Sequence, residues 1–320
     1  MHAFTDRVVA SVTTPPDSVA DVSVVIVSYN ARGHLMRCLA SLANLPCEVI
    51  VVDNASTDGS AEEVRGRFPD VKLLELERNA GFGAANNVGI GVAERRYILL
   101  LNSDAWPVGD AIEKLVRFSA SRPSIGAVGP RLLNVDGTLQ RSVRGYPTRW
   151  RLATEYFFLR WFAPRTKLLN AFYAASFDHR SHRAAEFLVG AALLLRSEAL
   201  DEVGGFDPEF FMYNEEVDLC YRLTRAGWGV EFYPEAEFVH VGGGSTHANA
   251  EQMYREQLRS HLRFLAKHES LPRAEQTRKL LIAAMLLRSL VFRGRRRTIS
   301  RQAFRWLRSG RAVELLNDRS

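Results

Sequence analysis

The chain is poor in cysteine and has no long uninterrupted apolar run. Cys38, Cys47 and Cys220 form no CxxC pair and leave an odd thiol under any pairing, which excludes a disulfide scaffold and favours a reducing compartment. The apolar residues 280–287 end at an arginine, well short of the roughly 20 residues that a membrane span requires. Residues 1–20 lack the basic and apolar regions of a signal peptide, so we expect a disordered N-terminal extension.

The charge of the chain is divided unevenly. The 320 residues are 47% hydrophobic and 24% charged, the balance of a globular protein with one large domain or two. Residues 251–320 hold 17 Lys and Arg against 6 Asp and Glu, net +11, whereas residues 1–250 carry a net −5. An acidic body with a basic tail argues against a nucleic-acid substrate and favours docking on an anionic surface, a membrane leaflet first.

Strand and helix patterns alternate along the first hundred residues. Short β-branched apolar runs are each followed by a stretch with helical periodicity. This alternation predicts an α/β fold with a mostly parallel central sheet covered by helices on both faces. We expect residues 21–250 to form this domain and residues 251–320 to form a basic, amphipathic helical region. The predicted strands are 22–28, 48–53, 71–76 and 96–101, and the predicted helices are 34–45, 60–67 and 84–93.

Polar residues close each predicted strand. Ligands of parallel α/β sheets bind beyond the carboxyl ends of the strands, so these side chains are expected to share one crevice. Capping of the following helices is the alternative explanation for any single position. The residues concerned are Ser28, Asn30, Asp53, Asn54, Arg78, Asn79, Asn102, Ser103 and Asp104.

A glycine-rich segment partly matches a dinucleotide-binding fingerprint. Gly81 and Gly83 follow a predicted strand and open a helix, but Asn86 replaces the third glycine and the segment lies in the third strand-to-helix turn rather than the first. A dehydrogenase is therefore kept only as an alternative enzyme class. A sugar nucleotidyltransferase would need a glycine-rich basic loop after the first strand, and residues 28–33 contain no glycine run. A non-catalytic nucleotide-sugar-binding protein is the third hypothesis.

Seven ordered motifs resemble the inverting glycosyltransferases of family 2, which have the GT-A (Rossmann-like) fold. Leu101-Asn102-Ser103-Asp104 corresponds to the DxD element, with Asn102 in place of its first acid, as in rhamnosyltransferase-like members. The Glu-Asp pair of the family corresponds to Glu215 and Glu216. The motifs, which together cover roughly residues 22–246, are 24–30, 51–60, 79–89, 101–104, 190–196, 204–211 and 215–219.

The resemblance implies roles for individual residues. Glu216 corresponds to the catalytic base, with Glu215 as the second candidate and Asp218 as a structural partner of Arg222. Asp104 and His240 are expected to bind a divalent metal, Mn or Mg. The expected nucleotide-binding residues are Ser28, Asn30, Asp53, Arg78, Asn86 and Ser103, and the expected donor-sugar or acceptor pocket contains Gly190, Ala191 and Arg222.

The donor follows from the expected role of Asp53. Its carboxylate can accept a hydrogen bond from the imide N–H of uracil or thymine. The resemblance to rhamnosyltransferases favours dTDP-rhamnose, with a UDP-sugar as the alternative. A lipid-linked or polysaccharide acceptor in cell-envelope synthesis is the corresponding expectation.

Residues 146–177 concentrate aromatic and basic side chains. They hold 10 of the 32 aromatic residues, a mixture suited to the lipid headgroup boundary. Completion of the core or a homodimer contact is the equally weighted alternative, and the same two alternatives apply to the amphipathic tail. We therefore expect a cytoplasmic protein peripherally associated with the inner face of the cell membrane.

Overall fold

A computed structural model of the chain describes residues 17–162, 166–170, 172, 174, 177–242, 250–310 and 312. The strands are β1 (Val22–Ser28), β2 (Glu48–Asp53), β3 (Lys72–Glu75), β4 (Tyr97–Asn102), β5 (Ala105–Pro107), β6 (Ile125–Leu133), β7 (Leu139–Gln140), β8 (Val143–Arg144), β9 (Arg183–Ala184), β10 (Phe187–Leu188), β11 (Ala192–Arg196) and β12 (Gly229–His240). The helices are α1 (Arg32–Leu42), α2 (Ser60–Arg67), α3 (Phe82–Ile90), α4 (Ala111–Ala120), α5 (Arg149–Tyr156), α6 (Lys167–Asn170), α7 (Ser197–Val203), α8 (Glu215–Arg225), α9 (Ala250–His268), α10 (Leu271–Val291) and α11 (Gly294–Leu307).

The central sheet is mixed, and its parallel part is the one that the alternating pattern predicts. Its strand order is β3-β2-β1-β4-β11-β6-β12-β5. The neighbours from β3 to β4 run parallel, and so do β6 and β12. Antiparallel pairing is confined to β11, to β5 and to the short strands β7 and β9 on the edges of β6 and β12.

Helices cover both faces of the sheet because its strands are apolar on both sides. Every residue of β1 is buried, the pattern of a strand inside an α/β sheet. One face packs against α1, α2 and α4, and the other packs against α3, α7 and α8. The observed α1 begins two residues before the predicted helix and ends three residues before its predicted end, while α2 matches its predicted bounds.

The register of the parallel strands brings their carboxyl ends to one edge. Ser28 pairs with Asp53 across β1 and β2, and Val27 pairs with Asn102 across β1 and β4. The polar residues that close the predicted strands therefore lie together, as expected from the topology of open α/β sheets.

The basic tail packs on the body of the protein. Helices α9, α10 and α11 share a third apolar core with α5, which includes Tyr156, Leu262, Met285 and Leu307. The segment rich in aromatic residues therefore contributes α5 to a core, one of the two alternatives raised by its composition. No helix in the described part of the chain is both long and apolar enough to cross a bilayer.

The N-terminal boundary lies earlier than the sequence suggests. Asp17, assigned above to a disordered extension, accepts hydrogen bonds from Arg96 at 2.9 and 3.0 Å and from the hydroxyl of Tyr97 at 2.7 Å. Ser18 caps the short 3₁₀ turn Val19–Asp21 that leads into β1. Residues 17–20 are therefore part of the fold, and residues 1–16 lie outside the described part of the chain.

Candidate active site

The two expected metal ligands meet at the carboxyl edge of the sheet. Antiparallel pairing of β5 with β12 sets His240 opposite Ala105, and His240 Nε2 lies 3.2 Å from Asp104 Oδ1. His240 Nδ1 donates to Gln140 Oε1 at 2.6 Å, which holds the ring with Nε2 directed at the site. The amide of Asn102 lies 3.3 Å from the same Nε2 atom.

The electrostatics of this pair suit a cation. Burial raises the pKa of Asp104, but hydrogen bonding and charge from His240 and the N–H of Gly242 outweigh it, so the pKa is lowered and the carboxyl is ionised. The buried Oδ1 of Asn102 has no hydrogen-bond partner within the described residues. Within that part of the chain no three His, Cys, Asp or Glu side chains cluster as metal ligands. Asp104 and His240 fit a divalent ion that takes its other ligands from a diphosphate and water.

Two buried oxygen atoms at the ends of β1 and β2 have no partner among the described residues. These are the Oγ of Ser28 and the Oδ1 of Asp53, whose residues pair across the strands. The second carboxylate oxygen of Asp53 accepts from the N–H of Ser56 at 2.9 Å, which holds the side chain in place. Because buried polar atoms normally have partners, these two atoms suit hydrogen bonds to a ligand base.

The other expected nucleotide contacts occupy different surroundings. Asn30 accepts from the N–H of Thr57 at 2.8 Å and braces the loop after β2. Arg78 is exposed, and Ser103 is half-buried in the turn between β4 and β5. Asn86 is 1% exposed and donates to the carbonyl of Phe82 at 2.9 Å. It therefore braces α3 from within, which removes the basis for assigning it to the nucleotide.

The glycine-rich segment at the start of α3 is a packing device. Gly81 has a φ of +88°, and a Cβ atom there would lie 2.4 Å from the carbonyl oxygen of Phe211. That carbonyl accepts from the N–H of Phe82 at 2.9 Å. Asn87 donates to and accepts from the backbone of Phe206, each at 2.7 Å. These contacts hold the loop before α8 against α3, and they account for the glycines without a dinucleotide.

The two acidic candidates follow an unusual turn. Tyr213 and Asn214 both have left-handed backbone angles, φ +67° and +66°, which cost free energy for residues other than glycine. Glu215 and Glu216 then open α8, and one carboxylate oxygen of each is buried without a hydrogen-bond partner in the described residues. Burial raises the pKa of Glu215 well above its ordinary value, with a further rise from the charge of Glu216. Burial also raises the pKa of Glu216.

Glu216 is the acid closer to the expected sugar pocket. A Cβ atom on Gly190 would lie 3.6 Å from the Cβ of Glu216, and the carbonyl of Ala191 accepts from the N–H of Asn102 at 2.9 Å. Residues 190–191 therefore lie between Glu216 and the edge of the sheet that carries Asn102 and Asp104. The positive charge of Arg144 opposes the burial effect on the Glu216 pKa.

Arg222 occupies a structural position. Its guanidinium donates to Asp218 at 2.7 Å and to the carbonyls of residues 203–205 at 2.6 to 3.0 Å. The pairing expected between Asp218 and Arg222 is confirmed. The expected contact of Arg222 with the sugar or acceptor is not supported, because its donors are used to hold the loop before α8.

Helix α9 holds the segment that carries the acids. The ring of His261 lies 2.9 Å from the amide of Asn214, and burial lowers the pKa of this histidine to about 3, so the ring is neutral. Ser260 donates to the carbonyl of Met212 at 2.9 Å, and Lys267 bonds to Asp218 at 2.7 Å. The tail is thus part of the framework of the site.

Comparison with known proteins identifies the family of the chain. The family model described as "Glycosyl transferase family 2" matches residues 23–204. The chain belongs to glycosyl transferase family 2. This family 2 glycosyltransferase is 35% identical over 238 residues to the N-acetylglucosaminyl-diphospho-decaprenol L-rhamnosyltransferase of Mycobacterium tuberculosis, covering 70% of this chain and 76% of that protein. It is 29% identical to the pre-mycofactocin glycosyltransferase of the same species, covering 71% and 44%.

Solved structures confirm the GT-A fold of this family 2 enzyme. The mannosyltransferase PcManGT from Pyrobaculum calidifontis, in complex with GDP-Man and Mn²⁺, superposes with a TM-score of 0.53 at 16% identity, covering 95% of this chain and 87% of that one. GalNAc-T7, solved with UDP, GalNAc and Mn²⁺, gives 0.57 at 17% identity, covering 92% and 57%.

Several residues of the site carry no signal in the sequence. Three of them are single polar residues outside the motifs: Gln140, Asn214 and His261. Only the structure shows that Gln140 bonds to His240 and that His261 bonds to Asn214. Arg144 lies between motifs, on β8, and its positive charge lowers the pKa of Glu216. A run of three glycines follows Val241, and residues 243–244 of this run lie outside the described residues.

Proposed function

We propose that this glycosyltransferase inverts the anomeric centre and transfers rhamnose from dTDP-rhamnose to a lipid-linked glycan acceptor in cell-envelope synthesis. The observation that carries the proposal is the buried, partnerless carboxyl oxygen of Glu216 beside Gly190, at the edge where Asp53 and Asp104 also lie. The likeness to a rhamnosyltransferase named for a diphospho-decaprenol acceptor supports the choice of sugar and acceptor.

The proposed reaction is a single displacement with Glu216 as general base. The acceptor hydroxyl gives its proton to the Glu216 carboxylate as its oxygen bonds to the anomeric carbon, and the bond from that carbon to the diphosphate oxygen breaks. The raised pKa of Glu216 makes its carboxylate a stronger base. Glu215 is more deeply buried under α3, where Gly83 leaves room for it, and we assign it the second place.

Asp53 and Ser28 are proposed to bind the pyrimidine base through their partnerless oxygen atoms. The carboxylate of Asp53 accepts from the imide N–H, which thymine and uracil share, so this contact does not distinguish dTDP from UDP. Asp104 and His240 are proposed to hold Mn²⁺ or Mg²⁺, which when bound would neutralise the charge of the departing diphosphate.

The location proposed for the enzyme is the inner face of the cytoplasmic membrane, where it would act as a peripheral protein. A lipid-linked acceptor is confined to a bilayer, and the tail of net +11 would be attracted to anionic headgroups. A homodimer stays a prediction from the aromatic segment.

A donor screen tests the proposed substrate. We expect dTDP-rhamnose with Mn²⁺ to raise the melting temperature of the protein, because a ligand that binds the native state stabilises it. The same donor should support transfer to a diphospho-polyprenol-linked sugar. Turnover of UDP-sugars without turnover of dTDP-rhamnose would assign the donor to UDP, and no response to any nucleotide sugar would contradict the proposed function.

Paired substitutions test the base. Glu216→Gln should lower kcat by about 10² to 10⁴ with donor affinity near that of the wild type, and Glu215→Gln should have the smaller effect. The wild-type kcat should fall as the pH is lowered, because the base must be ionised to act. The midpoint of this fall should lie above the ordinary pKa of a glutamate, since the pKa of Glu216 is raised. A larger loss in Glu215→Gln would exchange the two roles.

A further inference from the structure

Half of the exposed large apolar side chains lie on two segments. Twelve such residues occur in the described part of the chain, and six of them belong to residues 161–162 and the last turns of α10. The other six are scattered over the remaining surface, which is normal for a folded domain. The six clustered residues are Trp161, Phe162, Leu286, Leu287, Leu290 and Val291, with exposures that reach 84% at Phe162.

These two segments form one continuous surface, here called the α10 edge. The ring of Phe158 lies 5.3 Å from that of Trp161 and 5.4 Å from that of Phe292, measured between centroids. The guanidinium of Arg288 lies over the rings of Phe158 and Phe292, at 4.8 and 5.0 Å. The residues exposed at 161–162 and at the end of α10 therefore surround a shared aromatic centre.

The apolar residues of the α10 edge lie outside the apolar core. The opposite side of α10 packs through Leu281, Ala284 and Met285 into the core shared with α5, α9 and α11. Leu290 and Val291, 69% and 58% exposed, lie outside that core. What remains at the α10 edge is an exposed apolar surface.

The charged residues from the second half of α10 through α11 are of one sign. Residues 276–313 contain 11 Lys and Arg and no Asp or Glu. Arg293, Arg296 and Arg297 are exposed directly after the apolar residues of α10. Exposed aromatic side chains interleaved with arginines match the boundary between lipid headgroups and acyl chains, and the absence of acids favours an anionic surface.

We propose that the α10 edge docks on an anionic lipid bilayer, with Trp161, Phe162, Leu290 and Val291 at the headgroup boundary and the arginines on the phosphates. A second copy of this chain is a poorer occupant, because self-association would bring two strongly basic segments together. The proposal rests on the proposed function for its lipid-linked acceptor, and it specifies the surface by which the enzyme reaches that acceptor.

Vesicle flotation with the full-length chain tests the proposal. We expect binding to vesicles of phosphatidylglycerol and phosphatidylcholine, little binding to phosphatidylcholine alone, and loss of binding at high salt, which screens the attraction. The double variant W161S/F162S should weaken the partition constant by at least about tenfold, because it removes two large apolar side chains from the boundary. The matched control V108S/V135S changes two exposed apolar residues elsewhere and should bind as the wild type does.

Charge reversal tests the electrostatic part separately. The double variant R296E/R297E should lose binding to anionic vesicles, whereas Arg95→Glu, at an exposed site before β4, should reduce it much less. Point substitutions are preferable to deleting residues 273–320, because α10 and α11 complete a core with α5 and α9. Circular dichroism and thermal melting should show that each variant is folded.

The outcomes separate the docking surface from the proposed function. Vesicle binding that depends on Trp161 and Phe162, in a protein that transfers no sugar, would support the surface and contradict the function. Transfer to a water-soluble acceptor analogue should persist in W161S/F162S, since neither residue belongs to the site. Failure of the wild type to float, equal flotation of W161S/F162S, or a dimer in solution that W161S/F162S dissociates would overturn the proposal.

Discussion

Replacing Asp218 by asparagine should weaken the attachment of the tail helix α9 to the helix that carries the acidic pair. The Asp218 carboxylate is fully buried and bonds to Arg222 on its own helix and to Lys267 and His268 on α9, at 2.6 to 2.7 Å. Burial raises the pKa of this carboxyl. The hydrogen bond from His268 and the charges of Arg222 and Lys267 outweigh burial and lower the pKa to about 2.

The size of the effect follows from the pKa. A shift from 3.8 to about 2 corresponds to about 2 kcal/mol of folding free energy. Since the unfolded chain takes up the proton at the higher pH, this contribution is complete above about pH 4 and is lost as the pH falls toward 2. Breaking a buried ion pair costs roughly 3 to 5 kcal/mol, but Arg222 keeps its carbonyl acceptors and Lys267 keeps Asp207. We therefore expect Asp218→Asn to cost about 2 to 3 kcal/mol near pH 7.

Urea denaturation followed by tryptophan fluorescence measures this difference. The difference in the free energy of unfolding between Asp218→Asn and the wild type should shrink as the pH falls from about 4 to about 2. The wild-type carboxyl becomes protonated in this range and loses its charge. Asp201→Asn, at an exposed acid, is the matched control and should stay within about 0.5 kcal/mol of the wild type. The reasoning fails if Asp218→Asn is as stable as that control, or if its deficit is independent of pH.

Three further substitutions test the site and its framework. Asp104→Asn should weaken nucleoside diphosphate binding in Mn²⁺ by about tenfold or more in calorimetry, and equal affinities in Mn²⁺ and in chelator would contradict the assignment of the metal. Gly81→Ala should cost at least about 2 kcal/mol in thermal denaturation, because its φ is +88° and the new Cβ atom would meet a carbonyl oxygen. Gly109→Ala, at φ +58° with open space around it, should cost less, and equal costs would argue against the steric explanation. Arg196→Met should destabilise the fold by roughly 1 to 3 kcal/mol in urea by orphaning carbonyls that the buried guanidinium now satisfies, and a neutral result would contradict that role.

The parts of the fold that follow from local pattern could be predicted well. A strand such as β1 is apolar at every position because both of its faces are covered, and that pattern is visible in seven consecutive residues. The same holds for the polar residues that end the strands, since parallel topology alone brings them to one edge. Ser28 and Asp53 therefore meet as expected.

Other expectations are not supported by the contacts, because a motif residue bonds within the fold. Asn86 and Arg222 resemble site residues by position, yet Asn86 bonds within α3 and Arg222 holds the loop before α8. Motif spacing reports which residue types recur together, and it does not report the direction in which a side chain points. The sequence pattern also places Asp17 in a disordered extension, because its partners Arg96 and Tyr97 lie 79 and 80 residues away in the chain.

The sequence by itself determined the α/β class, the strand ends and the acidic pair, because these depend on hydrophobic periodicity and short motifs within a few residues. Only the tertiary structure decided that His240 lies against Asp104, that His261 contacts Asn214 before the acids, and that one side of α10 is buried. Each of these facts depends on contacts between distant segments. Such contacts are set by the packing of whole elements, which no local pattern records.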